Sequence, residues 1–351
     1  MSRRTLAGIL AVPLLIALWV TALVVPLPYV TYSPGLTVDV LGETSDGEII
    51  QVSGHESHHD GGELRMTTVY VTQPDGTINL FEAMSAWFDS DRALYPREAV
   101  YGPDVTREEN ELRSAVQMVS SQDVAVAVAM QELGYDVEEA VEVLNVSDEM
   151  PADGKIEVGD QLLRIDGTAV EDTDDVIDLV GQAPAGEPLE FVVRRGDERR
   201  TVEVAPKDVG EETPKIGVVP GVGYTFPFEV EVNIDDNIGG PSAGLMFSLA
   251  VHDTLTEGSL TGDGTVAGTG TLGPEGRVGP IGGIQQKVIA AEDDGAELFL
   301  VPADNCAEAV GAPTDDIRLA RVETMPRALE SVQAWAEDPD ADLPECEEED
   351  G

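Results

Sequence analysis

Hydrophobic and polar positions change rhythm several times along this chain. From Leu6 to Val25 almost every position is apolar, and no charge falls between Arg4 and Asp39. A run of about 20 such residues suits a helix that crosses a bilayer, and Pro13 would be a tolerated kink. Shorter, β-branched stretches follow. Tyr29–Gly42 reads as extended chain with a turn at Pro34-Gly35, and Leu64–Thr72 as a strand closed by the turn Gln73-Pro74-Asp75-Gly76. Thr106-Arg107-Glu108-Glu109 has the Thr-x-x-Glu capping pattern and opens a helical region that runs with breaks to Leu133. Between Val137 and Lys207 the pattern predicts strands at Val141–Val146, Leu162–Ile165, Leu189–Arg195 and Arg200–Val204, and a helix over Asp172–Val180. Gly159-Asp160 turns into the second of these strands, and Asp166-Gly167 is a hairpin turn after it. Beyond Asp208 the chain is rich in glycine and strand pattern, with two helices. Ser242–His252 is apolar nearly all round and so should be buried; Ile284–Asp294 stops at Gly295.

Charge changes the picture. The 351 residues hold 68 acidic and 20 basic side chains, a formal net charge of −48. Such a surface repels a phosphate backbone, which excludes nucleic-acid binding. The acids are spread along the chain and read as a solvated, self-repelling surface. Arg3 and Arg4 on the short side of the apolar run place the N-terminus in the cytoplasm and the remainder outside. That gives a single-pass cell-membrane protein with an extracytoplasmic body. A cleaved leader of the twin-arginine type is the alternative, but the run exceeds a signal core and no small-x-small site ends it.

Outside the cytoplasm, Cys306 and Cys346 are candidates for a disulfide that ties down the acidic tail. The cluster His55-Glu56-Ser57-His58-His59-Asp60 has metal-binding residue types, but its adjacent histidines lack helical spacing and glycines flank the loop. It reads as a solvated loop, so no metal and no cofactor are expected.

Chemistry concentrates in Ile-Gly-Gly-Pro-Ser-Ala-Gly-Leu-Met, residues 238–246. Ser242 stands before an apolar helix, where N–H groups and the helix dipole favour developing negative charge. A plain helix cap explains the same residues. His252 lies about 15 Å further along the same helix and cannot activate the serine. Lys287 is one of only four lysines, and i,i+3/i+4 spacing puts it on the apolar face with Ile284, Val288 and Ala291. Burial there would lower its pKa and make it a base; an amine that snorkels to water explains the spacing equally.

Two segments resemble known families. Gly159–Val170 matches the Gly-Asp-x-Leu/Ile-x-x-Ile/Val-Asn/Asp-Gly-x-x-Val signature of PDZ domains, which bind a peptide as an added strand. Gly240–Gly244 matches the Gly-Pro-Ser-Ala-Gly motif of the Lon proteolytic domain, and Pro280–Lys287 its Pro-Ile-Gly-Gly-x-x-x-Lys motif. The chain thus resembles membrane-anchored, PDZ-containing Lon-like proteases of the peptidase S16 type. The resemblance implies an α+β protein with an N-terminal transmembrane helix, a PDZ-like β-rich domain and an α/β Lon-type proteolytic domain. The corresponding segments are 1–30 (anchor), 31–130 (strands and helices packing with the protease), 131–207 (PDZ), 208–338 (proteolytic) and 339–351 (acidic tail). It also implies Ser242 as nucleophile, Lys287 as general base, Gly240, Pro241 and Ala243 in the nucleophile and oxyanion turn, and a homo-oligomer, since Lon-like domains often form rings. The usual Asp before Gly-Pro-Ser is Gly239, with Asp235 and Asp236 upstream, and the usual Thr-Gly-Glu is Ala267-Gly268-Thr269. Thr269 or Thr271 then becomes the candidate hydroxyl supporting the dyad. No phosphate-binding Gly-x-x-x-x-Gly-Lys-Ser/Thr loop occurs, so cleavage of protein or peptide substrates should need no ATP. The competing reading is a non-catalytic, membrane-anchored PDZ scaffold; a third is a metalloprotease built on the histidine loop.

Overall fold

The computed structural model describes residues 3–44, 47–103, 105–196, 198–210, 213–235 and 237–347, with side chains of the first helix from Leu10 onward. Asp236 and the end of the acidic tail, 348–351, lie outside the described residues. The N-terminal apolar run forms helix α1 (Arg3–Val24). Among the described residues no helix is long and apolar enough to cross a membrane.

Strands β1 (Tyr29–Asp39), β2 (Ile50–Ser53) and β3 (Glu63–Val71) follow. Pro34-Gly35 does not turn the chain. β1 continues through it as a bulge, its register against β3 shifting between Pro34 and Thr37. A side chain at Gly35 would approach the Thr68 carbonyl oxygen to 2.7 Å, so glycine here permits strand contact rather than reversal. Next come α2 (Leu80–Phe88), β4 (Ala93–Pro96) and the long α3 (Arg107–Glu132). Both arms of the Thr106–Glu109 capping box are made. The breaks expected in α3 are absent, because its Val-Ala-Val-Ala-Val-Ala stretch, 124–129, is narrow enough to be buried on every side.

The middle of the chain gives β5 (Glu138–Val146), β6 (Gln161–Ile165), β7 (Thr168–Ala169), α4 (Thr173–Gln182), β8 (Leu189–Arg195), β9 (Glu198–Val204) and β10 (Val218–Thr225). Asp166 and Gly167, both at positive φ, close the β6–β7 hairpin. Asp172 caps α4 through the Asp175 N–H. These strands form an antiparallel sheet in the order β9-β8-β6-β5-β10, with its own core of Val143, Leu162, Ile165, Phe191 and Val193. The sheet therefore extends past Lys207, where the sequence pattern closes the β-rich region. β10 carries Pro220, Gly221 and Gly223 and still pairs with β5 over its whole length.

The last third supplies β11 (Glu229–Val232), α5 (Gly244–Thr254), β12 (Thr265–Gly268), β13 (Thr271–Leu272), β14 (Val278–Gly279), α6 (Ile284–Asp293), β15 (Leu298–Pro302), β16 (Arg318–Val322) and α7 (Met325–Glu337). The second large sheet runs β16-β15-β12-β3-β1-β4, so strands from the two ends of the sequence lie side by side. The pairs β3–β12, β12–β15 and β15–β16 are parallel. The molecule is a mixed α+β protein with a separate β-rich unit inserted between the two halves of this sheet. Cys306 and Cys346 are disulfide-bonded, and the tail leading to Cys346 lies along β16 through an Ala320–Glu345 bridge.

Candidate active site

The site forms where β12 ends beside the middle of β3. Their parallel register sets Met66 beside Gly268, so the next residues, Thr67 and Thr269, emerge together. Helix α6 packs across β1 and β3 with Ile284, Val288 and Ala291 buried. Lys287 shares that face and is only 2% exposed. It does not snorkel: Nζ lies 2.8 Å from Ser242 Oγ, 2.9 Å from the Thr67 carbonyl oxygen and 2.9 Å from Thr269 Oγ1. Burial disfavours its ammonium form and lowers its pKa from the usual 10.5 to about 7.

Helix α5 begins at Gly244, two residues later than the apolar pattern suggests, and leaves Ser242 in the preceding turn. The residue at the cap position is Ala243, which makes no side-chain cap bond. Ser242 is therefore not a helix cap. Its carbonyl is held by Thr269 Oγ1, which donates at 2.9 Å, and by the Gly270 N–H at 2.8 Å.

Helix α3 supports the turn from behind. Gly240 adopts φ +89°, a conformation that L side chains rarely enter, and its N–H donates to the Ser114 carbonyl at 2.9 Å. Ser121 Oγ donates to the Pro241 carbonyl at 3.2 Å. Gly240 has thus committed its N–H, and Pro241 has none. Among the described residues the N–H groups of Ser242 and Ala243 have no partner, which leaves them as the donors the turn can offer a substrate oxygen.

The proton inventory around Lys287 is restrictive. The Thr67 carbonyl can only accept. Thr269 donates its one hydroxyl proton to Ser242, so its oxygen also accepts from lysine. A neutral amine fills these two acceptors with its two N–H bonds and keeps its lone pair for the Ser242 O–H. A protonated amine donates to all three oxygens. The same geometry accommodates both states.

Other expected residues lie elsewhere. Thr271 pairs with Gly279 in the β13–β14 hairpin, so of the two candidate hydroxyls Thr269 alone meets the lysine. His252 is near the far end of α5. Asp235 bonds to Asn237, and among the described residues no carboxylate is a partner of Lys287. His55 stacks on Phe228 and meets the Tyr135 hydroxyl at 3.0 Å, while His59 lies 3.3 Å from Glu48. Among the described residues no group of three metal-binding side chains forms. Sequence reasoning missed Thr67, Ser114 and Ser121. Two of these act through backbone carbonyls, which leave no residue-type signal, and Ser121 is one serine among several on a helix.

Comparison with known proteins agrees with two of these regions. Residues 115–205 match the model of the PDZ domain, and residues 236–332 that of the Lon protease (S16) C-terminal proteolytic domain. Residues 29–96, which complete the mixed sheet, lie outside both matches. No curated protein matches the chain. Among solved structures, the PDZ domain of the SdrC-like protein from Listeria monocytogenes is 26% identical, covering 23% of this chain and 86% of that one, with a TM-score of 0.22. The PDZ domain of the SdrC-like protein from Listeria innocua is 25% identical over 23% of this chain and 92% of its own, also at 0.22.

Proposed function

From a chain that carries a PDZ domain and a Lon protease S16 C-terminal proteolytic domain, we propose a membrane-anchored serine endopeptidase that cleaves extracytoplasmic peptides or proteins without ATP. One observation carries the catalytic part: a fully enclosed lysine, its pKa brought to about 7, in hydrogen-bond contact with the hydroxyl of Ser242. Ser242 Oγ attacks the scissile carbonyl as neutral Lys287 takes its proton. The new ammonium is stabilised by Thr67 and Thr269, and the N–H groups of Ser242 and Ala243 meet the oxyanion. Lys287 then returns the proton to the leaving amine. Water, deprotonated by the same lysine, hydrolyses the acyl-enzyme and restores Ser242.

The PDZ sheet ends in β10, an edge strand beside α4. An extended peptide adding to that edge would be presented to the protease in the usual PDZ manner. Anchoring rests on the apolar run Leu6–Val25 and on Arg3 and Arg4 before it, which put the catalytic unit outside the cytoplasm. Incubation of the purified chain with an unfolded protein, with and without ATP, tests the reading. Equal cleavage in both arms, lost in Ser242→Ala, is expected. Cleavage that survives in Ser242→Ala overturns the dyad, and cleavage that requires ATP overturns autonomy.

A further inference from the structure

Helix α2 is amphipathic in the wrong sense for water. Its small residues Ala83 and Ala86 are buried, whereas Leu80, Phe81, Met84, Trp87 and Phe88 face outward. Trp87 is 75% and Phe88 80% exposed. A contiguous patch of large apolar and aromatic side chains on a soluble surface marks a site that something covers.

Its position indicates what covers it. The Leu27 N–H, just past the end of α1, donates to the Ile78 carbonyl at 2.8 Å, one residue before the Asn79 cap of α2. The rings of Trp19 and Phe81 meet with centroids 4.9 Å apart. Trp19 lies five residues before the end of α1, about 7.5 Å along the helix axis. The apolar face of α2 is thus continuous with the exposed apolar surface of α1, at the end where α1 joins the rest of the chain.

We infer that α2 is an interfacial helix that docks the catalytic unit onto the lipid bilayer, inserting Phe81, Met84, Trp87 and Phe88 among the headgroups. This rests on the anchoring reading, because α1 brings α2 to the surface. Tryptophan and phenylalanine at the membrane–water boundary fit an aromatic belt. Docking is apolar and not electrostatic. Glu82, Asp89 and Asp91 accompany a single Arg92 around α2, and the whole chain carries a net charge of −48, so anionic lipid gives no attraction.

Bromolipid quenching of the full chain reconstituted in phosphatidylcholine bilayers tests this. The three tryptophans are Trp19, Trp87 and the buried Trp335. In Trp19→Phe, acyl-chain bromines should still quench, and quenching should fall about threefold when Trp87 is also replaced by Phe, with no change in high salt. In Trp87→Phe, quenching of Trp19 reports on the anchor separately. Trp19 quenched with Trp87 unquenched overturns the docking and leaves the anchor standing. Trp87 quenched with Trp19 unquenched supports docking and overturns the anchor. Neither quenched overturns both.

Discussion

At the scale of single residues, the reactive group is defined by what Lys287 lacks. Among the described residues no carboxylate pairs with it, and its three oxygen partners are neutral. Only burial sets its pKa, and the direction is downward. Its conjugate acid cannot accept the serine proton, so cleavage should rise with pH through about 7 and fade below it. A kcat profile against pH checks this, and a limb unrelated to the lysine would contradict it. Lys287→Arg should be inactive across the range, because guanidinium does not deprotonate. Thr269→Val keeps the shape but removes contacts to both the lysine and the Ser242 carbonyl. One such bond to a charged group is worth about 1.5–3 kcal/mol, so kcat should fall roughly 10- to 100-fold with little change in KM.

The motif around Ser242 and the helical spacing of Lys287 were legible in the sequence because the candidate nucleophile and base are side chains of distinctive type. The sequence alone could not separate a base from a snorkelling lysine, or Thr269 from Thr271. Those choices depend on strand register, which Met66 beside Gly268 decides.

Among elements, caps and turns were the most readable: the Thr106 capping box and the Asp166-Gly167 turn both rest on local chemistry. Pro34-Gly35 misled because glycine there serves close packing inside a strand. Contact between α3 and the β-rich unit had no local signature, yet it creates the most unusual electrostatics outside the active site. Asp123 on α3 and Glu142 on β5 face a cleft of about 680 Å³ that Gln161, Arg194 and Tyr224 also line. Burial raises both carboxyl pKa values, and Glu142 is pushed further by Asp123 and Asp160. Asp160 is itself paired with Arg195. Carboxyls that hold protons more tightly when folded contribute stability in acid, which is lost as pH rises through their folded pKa values. Asp123→Asn should therefore raise Tm more at about pH 9 than at about pH 5. An equal shift at both would mean that the pair does not titrate with folding.

At the scale of the whole molecule, 68 acidic against 20 basic groups make self-repulsion a general destabilising term. Raising ionic strength from about 0.1 M to 1 M shortens the screening length from about 10 Å to 3 Å. Tm should climb across that range, and a flat response would show that the surface acids are too dispersed to matter. Composition made that surface evident, whereas the interleaving of early and late strands emerges only from the assembled sheet.

That interleaving has a temporal consequence. Thr67, which receives an N–H from Lys287, precedes it by 220 positions. Ser242, Lys287 and the Thr67 carbonyl come together only after residue 287 has been made and β12 has settled beside β3. Until then the growing chain cannot bring Ser242 and Lys287 together on the Thr67 carbonyl. For the peptidase proposed above, latency during synthesis follows from the order in which the polypeptide is made.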